Sequence, residues 1–146
     1  MPQAQAFYAG LFTLYGIGFL GYTLLPALGP YAAMADAFAT PVSGYFITDL
    51  LNAVYPLGTN GVDVFPSLHC AISAYILGFD ASQSRRRFRW WLLPVLGLWA
   101  STIYLRFHYA VDVVAGLALA IPSLLVAFRF QPQTREKLYA LRPAVE

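Results

Sequence analysis

Long apolar stretches separated by short polar islands set the pattern of this chain, and four of the stretches read as membrane-crossing helices. The first runs from Phe7 to Leu28 and stops at Gly29-Pro30. The second begins at Pro66 and continues to Phe79, ahead of "DASQSRRRFR". The third opens on Trp90-Trp91, an aromatic pair suited to a membrane–water interface, and ends near Tyr104. The fourth runs from Tyr109 to Phe128, with Pro122 as an expected kink. A span needs about 20 mostly apolar residues, with roughly 17–25 tolerated.

No Gly or Pro separates the third stretch from the fourth. One helix from Trp90 to Phe130 would be roughly 60 Å long at 1.5 Å per residue, about twice the ~30 Å hydrocarbon core. The chain must therefore break, and the polar stretch Arg106 to Asp112 is the place for it. Between the first two stretches, Phe46, Leu50 and Val54 recur at helical spacing, so Tyr45–Val54 is expected to lie along the membrane surface. "YPLGTNG", Tyr55 to Gly61, reads as a turn. The expected architecture is an all-α polytopic membrane helical bundle. It has about four transmembrane helices and one interfacial helix, in a single domain spanning residues 1–146.

Composition supports lipid as the solvent. Of 146 residues, 59% are hydrophobic and 11% charged, against roughly 45–50% and about 25% in soluble domains. The net charge of +2 matters less than its placement. No charged residue precedes Asp36 and no basic one precedes Arg85. The bases then cluster at Arg85, Arg86, Arg87 and Arg89, and in the tail at Arg129, Arg135, Lys137 and Arg142. Bases that flank apolar runs argue for membrane topology and against a nucleic-acid partner. Both clusters are expected on the cytoplasmic side, which puts the segment 31–65 and the turn at Arg106–His108 on the opposite face. His69 and His108 should then lie level with each other there. The single cysteine, Cys70, permits no internal disulfide, and the N-terminus lacks the basic region of a signal peptide.

The chemistry sits in two islands, "VFPSLHCAIS" (Val64–Ser73) and "YLRFHYAVD" (Tyr104–Asp112). Pro66 suits the first turn of a helix, which leaves the amides of Ser67, Leu68 and His69 as unpaired donors at a positive dipole end, a place for a phosphate. The Ser67 hydroxyl adds a donor. His69 could protonate a leaving oxygen, or be an idle interface histidine. His108 and Asp112, four residues apart, share a helix face. There the carboxylate would fix the imidazole tautomer and free the other nitrogen to attack; the alternative is a buried polar pair that pins two helices. Arg106 could hold phosphate oxygens in bidentate fashion, or snorkel as an interface arginine. Cys70 reads as packing. His69, His108 and Asp112 make a poor metal site, with no third histidine and Arg106 beside them. No metal and no cofactor are expected.

These residues resemble the type 2 phosphatidic acid phosphatase superfamily. "PSLH", Pro66 to His69, is similar to the family's P-S-G-H element, with Leu68 in place of glycine. "STIYLRFHYAVD", Ser101 to Asp112, is similar to its S-R-x5-H-x3-D element. The resemblance implies a phosphohistidine on His108, oriented by Asp112, with His69 as the acid for the leaving group and Ser67 as a phosphate ligand beside Leu68. Two departures stand out. The family's arginine falls at Thr102, so Arg106 would supply that contact one turn later. The family's first element, K-x6-R-P, is absent. The inositol phosphorylceramide synthase branch is similar in both respects. Its members read F-P-S-L-H, as Phe65 to His69 does, and H-Y-x-x-D-x3-G, as His108 to Gly116 does; "LPALGPY", Leu25 to Tyr31, resembles a further G-P element of that branch.

The resemblance covers Leu25 to Gly116, and the family's usual six spans imply truncation at the start here or two dispensable helices. It implies a lipid phosphate phosphatase or phosphotransferase of the plasma (inner) membrane, with its site on the non-cytoplasmic face. Its partners would be a lipid phosphate substrate and membrane lipids; oligomeric state is not set. The competing reading is a non-catalytic relative used in lipid binding or assembly.

Overall fold

The computed structural model describes residues 2–38, 40, 44–46, 48–50, 53–54 and 62–131. Among the described residues every regular element is helical: α1 (Pro2–Leu24), the short α2 (Pro30–Ala33) with a 3₁₀ turn after it (Ala35–Ala37), α3 (Leu68–Gln83), α4 (Arg85–Tyr104) and α5 (Ala110–Arg129). Two of these are long and apolar enough to cross a membrane, over Gln3–Leu24 and Ala110–Arg129, with mean hydropathies of 1.3 and 2.2. The first ends earlier than its apolar run suggests. Past Leu24 the chain leaves the helix, and Ala27 pairs with Asp63 in one isolated parallel bridge. In the stretch 45–54, the described residues 46, 48–50, 53 and 54 are helical, and Phe46, Leu50 and Val54 are all exposed. The expected turn at 55–61 and the basic residues Arg135, Lys137 and Arg142 lie outside the described residues.

α3 is the centre of the molecule. α1 and α5 pack against each other and against it, and α4 packs on its remaining side. The core joins Leu14, Leu68, Ala71, Tyr75, Phe79, Leu119, Ala120 and Ala127. At one end Gln3 of α1 donates to Gln83 of α3 at 3.2 Å, so α1 and α3 are antiparallel. Tyr75 donates to the Phe7 carbonyl at 2.7 Å, and the Phe79 ring meets Phe7 and Phe128. That end also carries the arginines, where Arg87 pairs with Asp80 at 2.7 Å. The histidines begin the opposite end, about 24 Å away along a 16-residue helix.

The break between α4 and α5 falls in the polar stretch, and its backbone explains why no glycine marks it. Arg106 itself takes the left-handed conformation, φ 63°, at the position past a helix end that glycine usually fills. The amides of Phe107 and His108 then both donate to the Thr102 carbonyl at 3.1 Å. Asp112 closes the other side by accepting from the Tyr109 amide at 2.7 Å, which satisfies a donor at the start of α5.

Candidate active site

The four helix ends that face away from the arginines are stitched together by backbone bonds. Ala27 donates to Val62 at 3.2 Å, Tyr31 to Arg106 at 2.9 Å, and Ser67 to Asp112 at 3.1 Å. Gly116 permits the last of these, since a Cβ there would overlap the Ser67 carbonyl oxygen. This close approach sets α5 against the first turn of α3 and brings the two islands into one rim.

Within the rim the rings of His69 and His108 lie 6.0 Å apart between centroids. His69 is exposed, whereas His108 is 6% and Asp112 2% accessible. His108 Nδ1 faces Asp112 Oδ2 at 3.7 Å, beyond hydrogen-bond length but within strong electrostatic reach. Nδ1 has no hydrogen-bond partner. Burial holds the His108 pKa below the ordinary histidine value of 6.5; Asp112 opposes that shift, and His69 adds to it. The imidazole is therefore neutral at pH 7, the form a nucleophile needs.

Pro66 is not in the first turn of the helix. α3 starts at Leu68 with Ser67 as its N-cap, and Pro66 precedes the cap, joined to Phe65 by a cis peptide bond. The capping serine wins the position because its hydroxyl can accept from the Cys70 amide, here at 3.5 Å. The Ser67 amide is taken by Asp112, so it is not among the open donors of the helix end. Ser67 is fully buried and Leu68 nearly so.

Arg106 is held elsewhere. Its guanidinium donates to the Thr40 carbonyl at 3.0 Å and lies 3.9 Å over the Phe38 ring, tying the turn to the connector that follows α2. Thr102, at the place of the family's arginine, is buried and bonded to the Trp99 carbonyl at 2.8 Å. Cys70 is fully buried, its sulfur 4.0 Å from the Thr102 hydroxyl, so it faces α4.

One group at this rim carried no signal in the motifs. Tyr22, near the end of α1, takes a hydrogen bond from the Leu68 backbone and feels the charges of Asp63 and Asp112. Its spacing from Tyr8 and Tyr15, seven residues each, marks a shared helix face, but not what that face meets.

Residues 1–126 match the PAP2 superfamily. A phosphoinositol dihydroceramide synthase of Bacteroides thetaiotaomicron is 29% identical over 122 residues, covering 72% of this chain and 39% of the relative. The chain thus spans about two fifths of the length of that relative. No solved structure matches it.

Proposed function

The chain belongs to the PAP2 superfamily, and on that premise we propose that it is an integral-membrane enzyme that cleaves a lipid phosphoester through a histidine intermediate. The observation that carries this reading is the meeting of His69 and His108 at the first turn of α3, with Asp112 beside the buried ring. His108 Nδ1 faces the carboxylate, which leaves Nε2 to attack phosphorus. As the N–P bond forms, the bond from phosphorus to the lipid oxygen breaks, and His69 gives that oxygen a proton. A hydroxyl then attacks the phosphohistidine, His69 takes its proton, and His108 is regenerated neutral. Ser67 and Arg106 are the proposed phosphate ligands, beside Leu68, whose amide is held by Tyr22; Arg106 would first leave Thr40 and Phe38.

The acceptor decides the product. Water makes the protein a phosphatase, and a lipid hydroxyl makes it a phosphotransferase. The similarity to a phosphoinositol dihydroceramide synthase favours transfer of a phosphoinositol-type headgroup. In this reading α3 and α4 also traverse the bilayer beside α1 and α5, with the arginine end cytoplasmic and the histidine rim on the other face of the plasma (inner) membrane.

The test is phosphate release from a panel of lipid phosphates in detergent micelles, and headgroup transfer from them to an added ceramide-type acceptor, for wild type and His108→Ala. Loss of all turnover in the variant, with the fold intact, is the expected result. Turnover that survives removal of His108 would sink the phosphohistidine mechanism. An inactive wild type whose lipid binding persists in the variant would favour a non-catalytic role.

A further inference from the structure

The rim is short of cations for a site meant to hold a phosphate. No Lys or Arg precedes Arg85, and the Arg106 guanidinium is engaged by Thr40 and Phe38. Something uncharged must supply part of the hydrogen bonding to a phosphoryl group seated against His108.

α1 brings one such group. Its last turns press directly onto the start of α3: a Cβ on Gly18 would overlap the Leu68 side chain, and one on Gly21 would come within 2.6 Å of the Pro66 ring. With the helices this close, the next residue, Tyr22, sets its hydroxyl on the Leu68 backbone amide. That amide belongs to the first turn of α3, the positive end where an anion is favoured. The buried His108 ring stands at the same rim, 6% accessible, with its Nδ1 turned to Asp112. Asp112, which faces that ring, also lies within electrostatic reach of the Tyr22 hydroxyl. A phenol oxygen that accepts an amide hydrogen keeps its own hydrogen to donate.

We propose that Tyr22 is a substrate-binding residue whose hydroxyl, seated on the Leu68 amide, donates to a phosphoryl oxygen of the lipid phosphate bound at His108. This rests on the phosphohistidine reading above. It makes α1 part of the catalytic apparatus and supplies a neutral donor from a helix other than α3 and α5. A phenol at this point also suits a partly apolar site: it costs little to desolvate compared with a lysine or arginine, and burial strengthens its hydrogen bond to an anion.

The experiment is binding of orthovanadate, a mimic of the transferring phosphoryl group, to the full chain in detergent micelles. It is followed by titration calorimetry in wild type, Tyr22→Phe and Tyr75→Phe. Tyr75→Phe also removes a tyrosine hydroxyl, one that bonds the Phe7 carbonyl at the arginine end and away from the histidines, and serves as the control. The expected result is vanadate binding weakened about tenfold in Tyr22→Phe, the loss of one hydrogen bond to a charged group, with the control unchanged and the KM for lipid phosphate raised in parallel. Equal affinity in wild type and Tyr22→Phe would overturn the assignment, leaving a bond to Leu68 and a carboxylate alone. If Tyr22→Phe does not fold, Tyr22→His and Tyr22→Leu replace it. Both side chains are shorter than tyrosine, but only histidine keeps a donor, so it must bind vanadate more tightly than leucine; equal binding again overturns the proposal. A wild type that binds no vanadate, releases no phosphate and transfers no headgroup to a ceramide-type acceptor removes the phosphohistidine reading as well, which separates the two failures.

Discussion

α4 and α5 are both 20 residues long, each carries an internal proline, and each borders the histidine rim, yet they meet very different neighbours. α5 buries Asp112, Val113, Gly116, Leu119, Ala120, Ser123 and Ala127, a stripe at helical spacing made largely of small residues, the kind that lets helix backbones approach closely. α4 buries only Thr102 and leaves Trp90, Trp91, Leu93, Leu96, Ile103 and Tyr104 exposed. The difference teaches where the site's geometry comes from. α5 is locked to α3 through backbone contacts and so fixes His108 and Asp112; α4 delivers the turn to them through one buried threonine and leaves most of its large apolar side chains exposed.

The comparison breaks most severely at Asp112. Asp112→Asn keeps an oxygen for the Tyr109 amide but removes the charge facing His108, and we expect turnover to fall by roughly 10²–10⁴-fold with the thermal midpoint in detergent little changed. The pH profile sharpens this. In the proposed mechanism the neutral His108 ring is the active form, so the acid limb should lie below 6.5, with activity lost as pH falls through the lowered His108 value. Asp112 favours the protonated ring; without it the acid limb of residual kcat/KM should move to still lower pH. An upward move would contradict the assignment of Asp112 as the partner of His108.

Next in size is a pair of identical substitutions on the two helices. Gly116→Val drives side-chain atoms into the Ser67 carbonyl, and should cost about 1–3 kcal/mol or more of stability while uncoupling the histidines. At Gly97 of α4 nothing lies within 4 Å of an added Cβ, so Gly97→Val should be near neutral. Unfolding midpoints and turnover for the two proteins, measured side by side, decide it; equal damage would mean that α4 is packed as tightly as α5. The smallest effect belongs to the link between α3 and α4, where the Trp99 indole donates to Ser73 at 2.8 Å. Trp99→Phe should lose about 1 kcal/mol, seen as a lowered midpoint with activity retained.

The helical class and the break between α4 and α5 were legible because both follow from lengths: apolar runs measured against a bilayer, and one run too long to be a single rod. The convergence of His69 with His108 was legible because charge placement puts their helix ends on one face. Local conformation was harder to read. Arg106 adopts a backbone state usually left to glycine, and Pro66 sits ahead of the helix because Ser67 caps it; neither is set by composition. Tyr22 was hidden for a different reason. Its neighbours come from 46 residues further along the chain, and a tyrosine within an apolar helix looks the same whether it faces lipid, core or substrate.

The backbone bonds that join the helix ends have an evolutionary consequence. A frame held by amides and carbonyls is indifferent to which side chains line its interior, as long as glycine remains at the close approaches. On the proposed reading, such a frame can exchange the groups at a phosphate site, a cation at one position for a phenol at another, without having to solve its folding problem again.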